Sequence, residues 1–474
     1  MHTESEQLFF EGGRHLQAGD LPAAASCLHR ACTLSPGFGQ AWANLGLVRD
    51  RQGDTIGAEA AYRSALDAGC DAFELQLNYG AMLAAQRRLD EALACYARAL
   101  QQDNSSASLW SNLGALYLAL QEDDDAQTCL EKALQLQNDH ASAHTNLAYL
   151  HLRHGRFEEG WRAFEARNWY TRWAARMSYT RWMGESLAGK TVLLCEEAGH
   201  GDMIQFVRYV PLLKALGAQH ITLLCQPALL DLLDTMEGVD AVLSVHAPAP
   251  SADYWSPLLS LPYYLQTRAA NIPARIPYLQ ADTDRTAFWQ DQWRHWTRTA
   301  QPLRVGLVWK GNPAFENDAM RSLPHLRTLL PLLEVPGVAF VSLQKGGEHE
   351  VQELQTARKL AGHGELDLHD AAATLSDFAD SAVLISTLDL VIAVDTAVAH
   401  LAGALGKPCW LLLPDYMADW RWGTNAGPQA TQTAWYPHTM RLWRQDRHGD
   451  WPPLIATVAT ALQGMSTKRH DTTT

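Results

Sequence analysis

Along the first third of the chain, apolar and polar positions alternate at helical spacing, and small and large apolar residues recur with a longer fixed period. The stretches AWANLG, QLNYG, LWSNLG and HTNLA set Asn44, Asn78, Asn112 and Asn146 at equal steps of 34 residues (78 − 44, 112 − 78 and 146 − 112). Gly46, Gly80, Gly114 and Ala148 keep the step, as do Ala24, Ala58, Ala92, Ala126 and Gly160. Four residues after each of that second series comes a large side chain: Leu28, Tyr62, Tyr96, Leu130 and Phe164. Small residues let two helices approach and large ones fill the space between them. Each unit therefore reads as a helix hairpin whose apolar face only its neighbours can cover, which predicts an α-solenoid.

From Lys190 the pattern becomes short apolar runs closed by glycine and followed by amphipathic segments. TVLLCEEAGHGD, HITLLCQ and VDAVLSV read as strands, with helices in GHGDMIQFVRYVPLLKALG and ALLDLLDTM. Near Gln301 and Pro302 the pattern restarts with LRVGLVWKG, LRTLLPLLEV, VAFVSLQKG and DLVIAVDTAVAHLAGALGKPCWLLLP. Alternating strands and helices predict two Rossmann-like parallel sheets in tandem, with ligands in a cleft at the carboxyl ends of their strands. The expected division is a solenoid over 1–168, a Trp-, Tyr- and Arg-rich packing linker over 169–187, and α/β domains over 188–300 and 301–466. A frayed tail is expected over 467–474.

A length of 474 residues agrees with several cores, and a net charge of −14 argues against a nucleic-acid partner, which needs a basic face. The eight cysteines form no CxxC pair and read as reduced, buried thiols. The opening MHTESEQLFFEGG lacks the order of a signal peptide, and no run of about 18 apolar residues spans a bilayer, so a cytoplasmic location is expected.

Chemistry concentrates at strand ends. In VIAVDTAVAHLAGALGKP a strand runs into a helix whose free N–H groups suit a diphosphate. Asp395 is placed to accept from sugar hydroxyls, Thr396 and the amides of Ala397 and Val398 to hold phosphate, and His400 to donate to it. The competing reading is that Asp395 and Thr396 cap the helix and His400 packs in the core. Lys310, Asn312 and Arg321 follow the first strand of the second half, where cations neutralise a leaving group; the competing reading of Lys310 and Arg321 is plain solvated charge. Gln344 and Lys345, beside Gly346, are placed to meet a nucleoside. No Asp-x-Asp metal site follows a strand, so metal-independent chemistry without a cofactor is expected. Asp419, Trp420, Arg421 and Trp422 are expected near the cleft mouth, where a tryptophan either stacks on a ligand or seals the interface. In GHGDMIQF, Gly199 and Gly201 allow close backbone approach, and Asp202 opens the helix, either as a carboxylate facing the cleft or as the helix's N-cap. Asn44, Asn78, Asn112 and Asn146 offer donor and acceptor together, as a ladder for an extended peptide.

These residues carry resemblances. The 34-residue pattern resembles the tetratricopeptide repeat over roughly residues 4–168, and its asparagine ladder is similar to that in the repeat domain of the eukaryotic O-GlcNAc transferase. The Asp395-Thr396 block resembles the donor motif of the heptosyltransferase-like (family 9-like) glycosyltransferases, Asp-Thr-Gly with a histidine three residues on, although Ala397 stands where that family has glycine. GHGDMIQF resembles their Gly-Asp turn. The likeness runs over about residues 188–465, and the joint order resembles the bacterial tetratricopeptide-repeat glycosyltransferases. It implies a GT-B fold, a nucleotide-sugar substrate, Asp202 as general base with Gly201 beside the acceptor, and a protein acceptor in the repeat groove, such as flagellin or another surface protein. Two rivals are a lipopolysaccharide-core acceptor with the repeats as scaffold, and a non-catalytic adaptor.

Overall fold

The computed structural model describes residues 3–297, 302–315, 317–424, 430–447 and 449–473. The chain forms two compact units that divide between Leu150 and His151.

The first unit is all helical: α1 (Glu4–Gln17), α2 (Leu21–Leu34), α3 (Gly39–Arg51), α4 (Thr55–Asp67), α5 (Phe73–Ala85), α6 (Leu89–Gln102), α7 (Ala107–Leu120) and α8 (Asp123–Leu136). The division falls in the last turn of α9 (Ala141–Arg153). The glycines of the first helices are required by packing. A Cβ at Gly46 would stand 2.6 Å from the Tyr62 ring, one at Gly80 2.6 Å from Tyr96, and one at Gly114 2.5 Å from Leu130. Gly12, one period earlier, meets Leu28 in the same way at 2.7 Å, so the first hairpin obeys the pattern too. Ala24, Ala58, Ala92 and Ala126 are fully buried.

The solenoid is expected to run to residue 168, whereas the first compact unit ends at Leu150. The helix Phe157–Phe164 belongs to the second unit, where Trp161 packs edge-on against Trp420 and its indole donates to the Thr267 carbonyl at 3.2 Å. Within the expected linker, Thr180–Arg181 form an edge strand.

The second unit holds two sheets whose neighbouring strands are all parallel. Numbered along the chain, the first contains β1 (Thr180–Arg181), β2 (Thr191–Cys195), β3 (His220–Cys225), β4 (Ala241–Ser244) and β5 (Tyr254–Pro257), in the order β1-β5-β2-β3-β4. The second contains β6 (Leu303–Val308), β7 (Val338–Ser342), β8 (Leu368–Asp370), β9 (Leu390–Val394), β10 (Cys409–Leu413) and β11 (Met440–Arg444), in the order β11-β10-β9-β6-β7-β8. Their apolar runs are buried along β6, β9 and β10, as a parallel sheet requires.

In each sheet the winding reverses beside its first central strand, between β2 and β5 and between β6 and β9. Crevices outside the carboxyl ends of such strands are where α/β sheets bind ligands. Residues 298–301, where the two α/β domains were expected to meet, lie outside the described residues. The helix Trp451–Thr473 runs through the segment expected to fray; residue 474 lies outside the described residues. Among the described residues no helix is long and apolar enough to cross a membrane. All eight cysteines are free, and all but Cys27 and Cys70 are buried.

Candidate functional site

The two reversal points meet. The helix His200–Phe206, after β2, packs on the helix Ala397–Ala404, after β9. They cross at Gly201, where a Cβ would stand 2.9 Å from His400 Cδ2 and 3.4 Å from Ala397 Cα. Gly201, expected to admit an acceptor, is therefore glycine because another helix lies against it.

Asp202 is the third residue of its helix rather than its cap. Its Oδ2 accepts from the Gly199 N–H at 2.8 Å, and its Oδ1 pairs with Arg421 Nη2. Burial raises its proton affinity, opposed by the Arg421 charge and the Gly199 amide. Arg421 also donates to Asp419 Oδ2 at 2.8 Å and to Gln205 Oε1 at 2.5 Å, and lies over the Trp420 ring. One guanidinium thus joins the loop after the second sheet's β10 to the first sheet's leading helix.

On the opposite side, Thr396 caps its helix without a side-chain bond to it; its hydroxyl donates to the Val394 carbonyl at 3.2 Å. Among the described residues the amides of Ala397 and Val398 have no acceptor, as expected of a helix start. The Nε2 of buried Gln205 also has none, and the buried indole N–H of Trp422 has none in hydrogen-bonding geometry, although it lies near enough to Asp395 to favour that carboxylate. Asp395 is largely buried, and burial together with Asp419 pushes its carboxyl up to about 6, against the pull of Trp422, Arg321 and Arg421. His400 Nε2 lies 4.0 Å from Asp395 Oδ1, and its Nδ1 is 2.9 Å from the Tyr436 hydroxyl. Burial, followed by Arg421, Arg208 and Arg321, holds His400 well below the usual imidazole range, so it is neutral.

The remaining expected residues divide. Arg321 donates to Asp318 at 3.2 Å, and its charge acts on Asp395 and His400. Lys310 is not a free cation: its Nζ is 2.6 Å from Glu350 Oε1, while Glu350 Oε2 accepts from the Leu326 amide. Gln344 is occupied too, its Oε1 accepting from the amides of Trp309 and Lys310 at 3.2 and 2.9 Å. It ties the end of β6 to that of β7, so the oxygen expected to meet a nucleoside is engaged within the fold. Asn312 is exposed and closes a local turn on the Ala314 amide, and Lys345 is exposed.

In the first unit the four asparagines are half-buried on α3, α5, α7 and α9. Asn112 reaches the Tyr96 hydroxyl; among the described residues the other three have no side-chain partner. One group of three possible metal ligands converges among the described residues, Glu11, His15 and Cys27, and it lies in the first hairpin.

The residues that sequence reasoning left without a role are Arg421 and Trp422, already noticed near the cleft, and Tyr436, Arg208 and Gln205. No local signal marks the last three; only the fold brings them to the site.

Tetratricopeptide-repeat models match residues 11–69, 80–121 and 107–140. The first unit is built of tetratricopeptide repeats. The chain is 31% identical over 331 residues to Protein FlbA of Caulobacter vibrioides, covering 65% of this chain and 53% of FlbA. It thus spans about half the length of that relative. A match over 65% of the chain exceeds the repeat unit, which ends at residue 150 of 474, so the likeness extends into the α/β unit. Similar solved structures include pilF of Pseudomonas aeruginosa, at 24% identity over 34% of this chain and 74% of that one with a TM-score of 0.32. Another is a thermophilic repeat protein of Thermus thermophilus, at 22% identity over 34% and 88% with a TM-score of 0.30.

Proposed function

We propose that the chain is a glycosyltransferase of GT-B architecture that moves a sugar from a nucleotide-sugar donor to a hydroxyl of a protein acceptor. One observation carries this reading: the amides of Ala397 and Val398 are donors without acceptors at a helix start beside Asp395, with the Trp422 indole turned toward that carboxylate. A diphosphate supplies acceptors for such a set, and the helix dipole favours its charge. The acceptor oxygen attacks the anomeric carbon, the bond from that carbon to the phosphate oxygen breaks, and the acceptor proton passes to Asp202 as nucleoside diphosphate leaves. Arg321 and the helix end, rather than a metal, meet the leaving charge. The half-buried asparagines of the repeats suit the backbone of an extended acceptor peptide.

A second reading, a repeat-bearing adaptor without catalysis, draws on the internal pairing of Lys310 with Glu350 and of Asp202 with Arg421. Incubation with a panel of nucleotide sugars separates the two. The enzyme releases nucleoside diphosphate and Asp202→Ala abolishes the release; the adaptor releases none and binds no nucleotide. A lipopolysaccharide-core acceptor is told from a protein one by Asn78→Ala and Asn112→Ala together, which weaken only transfer to protein.

A further inference from the structure

Resting on the donor reading above, a difficulty arises at Asp202. A base must hold its incoming proton well, and both oxygens of this carboxylate already accept, one from the Gly199 amide and one from the cationic Arg421, which weakens it as a base. Arg421 is itself divided: it keeps Asp419 at 2.8 Å within its own loop and reaches Asp202 across the two sheets. A guanidinium presents a fork that matches phosphate at least as well as carboxylate, and a diphosphate offers more charge than one aspartate. The donors lacking acceptors lie close to it in the fold. Trp422 is the next residue, its ring 5.2 Å from that of His400, and the Arg421 charge acts on both Asp395 and His400.

We propose that Arg421 is a diphosphate-binding residue for which Asp202 holds the place: the incoming donor draws the guanidinium away from Asp202, and the same movement frees Asp202 to act as the base. Asp419 keeps its hold on Arg421 in both states and limits the movement to a swing of the side chain. Without its counter-ion, a carboxylate in this buried position holds a proton more tightly, which makes it a stronger base. Donor binding thus precedes acceptor activation, and Asp202 stays masked until a donor is in place.

The test is a double-mutant cycle on the full chain, with inorganic pyrophosphate and UDP as probes in titration calorimetry. Asp202→Asn removes the internal competitor and tightens pyrophosphate about tenfold, whereas Arg421→Gln weakens it about tenfold; tenfold corresponds to about 1.4 kcal/mol. In the Arg421→Gln background, Asp202→Asn changes the affinity less than about twofold, because nothing is left to compete for. Thermal unfolding verifies that each variant is folded, and Arg421→Lys, which keeps the charge and loses the fork, gives an intermediate weakening should the glutamine variant not fold. An equal gain from Asp202→Asn in both backgrounds means that Asp202 only repels, and overturns the exchange while leaving the donor reading standing. Failure of the parent and of Asp202→Asn to bind either probe overturns both.

Discussion

Replacing Asp395 by asparagine is expected to stabilise the second unit at neutral pH. The side chain is 13% exposed, and its carboxyl is pushed up from 3.8 to about 6, by burial first and then by Asp419, against Trp422, Arg321 and Arg421. Between those two values the folded state holds a proton that the unfolded chain has released, so stability falls as pH rises. The contribution of the protonated carboxyl is complete below about pH 3.8 and is lost as pH rises through about 6. A shift of roughly two units corresponds to about 3 kcal/mol, felt at pH 7 as the cost of ionising a buried group beside Asp419. Asparagine keeps the shape and removes the ionisation.

Tryptophan fluorescence during urea unfolding is the assay, because every tryptophan except Trp42 and Trp110 lies beyond residue 150 and reports the second unit. The stability difference between variant and parent should grow from about 1 kcal/mol at about pH 4.5 to about 3 kcal/mol at about pH 7.5. A difference that stays flat over this range, or a variant less stable than the parent at the upper end, would refute the electrostatic account of Asp395.

Other perturbations probe separate parts. Gly46→Ala drives a methyl into the fully buried Tyr62 ring and is expected to cost about 1–3 kcal/mol, read by far-UV circular dichroism in urea. Glu197→Ala leaves Arg167 buried after losing a fork-to-fork pair of 2.7 and 2.8 Å, and should lower the fluorescence transition by about 3–5 kcal/mol. Tyr436→Phe removes the hydroxyl that holds His400 Nδ1 and should slow nucleoside diphosphate release about threefold to tenfold, the worth of one hydrogen bond, while the thermal midpoint moves little. Asn78→Ala and Asn146→Ala should each weaken binding of an acceptor peptide by about 1 kcal/mol in a fluorescence-anisotropy titration.

The repeats were legible because their decisive contacts are local. Gly46 meets Tyr62 and Gly80 meets Tyr96 inside single hairpins, so the sequence period and the packing period coincide. The parallel strands were legible for a related reason: β9 and, but for half-buried Arg304, β6 are buried apolar runs ended by polar or glycine-bearing turns. Charged side chains behave differently, since their role depends on what the fold sets opposite them. Lys310 reads as a cation in a loop until Glu350 arrives from 40 residues away, and Gln344 reads as a ligand contact until the amides 34 and 35 residues earlier take its oxygen. Asp202 and Arg421 are 219 residues apart, and neither residue's local sequence signals the other. The two-residue strand β1 has too few side chains to show any alternation, and it exists only because β5 offers an open edge.

The buried Arg208 shows how the two sheets shape the site together. It stands on the short helical stretch after Asp202's helix, and among the described residues its partners are the carbonyl oxygens of Gln205, Pro273 and Trp435 and the Tyr278 hydroxyl, with no carboxylate. A guanidinium kept from water without an anion spreads its charge over its surroundings, here the rings of Tyr278 and Tyr436. That charge, added to those of Arg421 and Arg321, disfavours protonation of His400. Tyr278 already gives its proton to the Ile204 carbonyl at 3.0 Å, so the Tyr436 proton is directed to His400 Nδ1, only 2.9 Å away, rather than to the Tyr278 oxygen at 3.5 Å. The His400 proton then belongs on Nε2, on the side of Asp395. A neutral imidazole with a fixed N–H donor beside acceptor-less amides is suited to an oxyanion. It needs Arg208 from the first half and Tyr436 from the second, so neither α/β half can build this site alone.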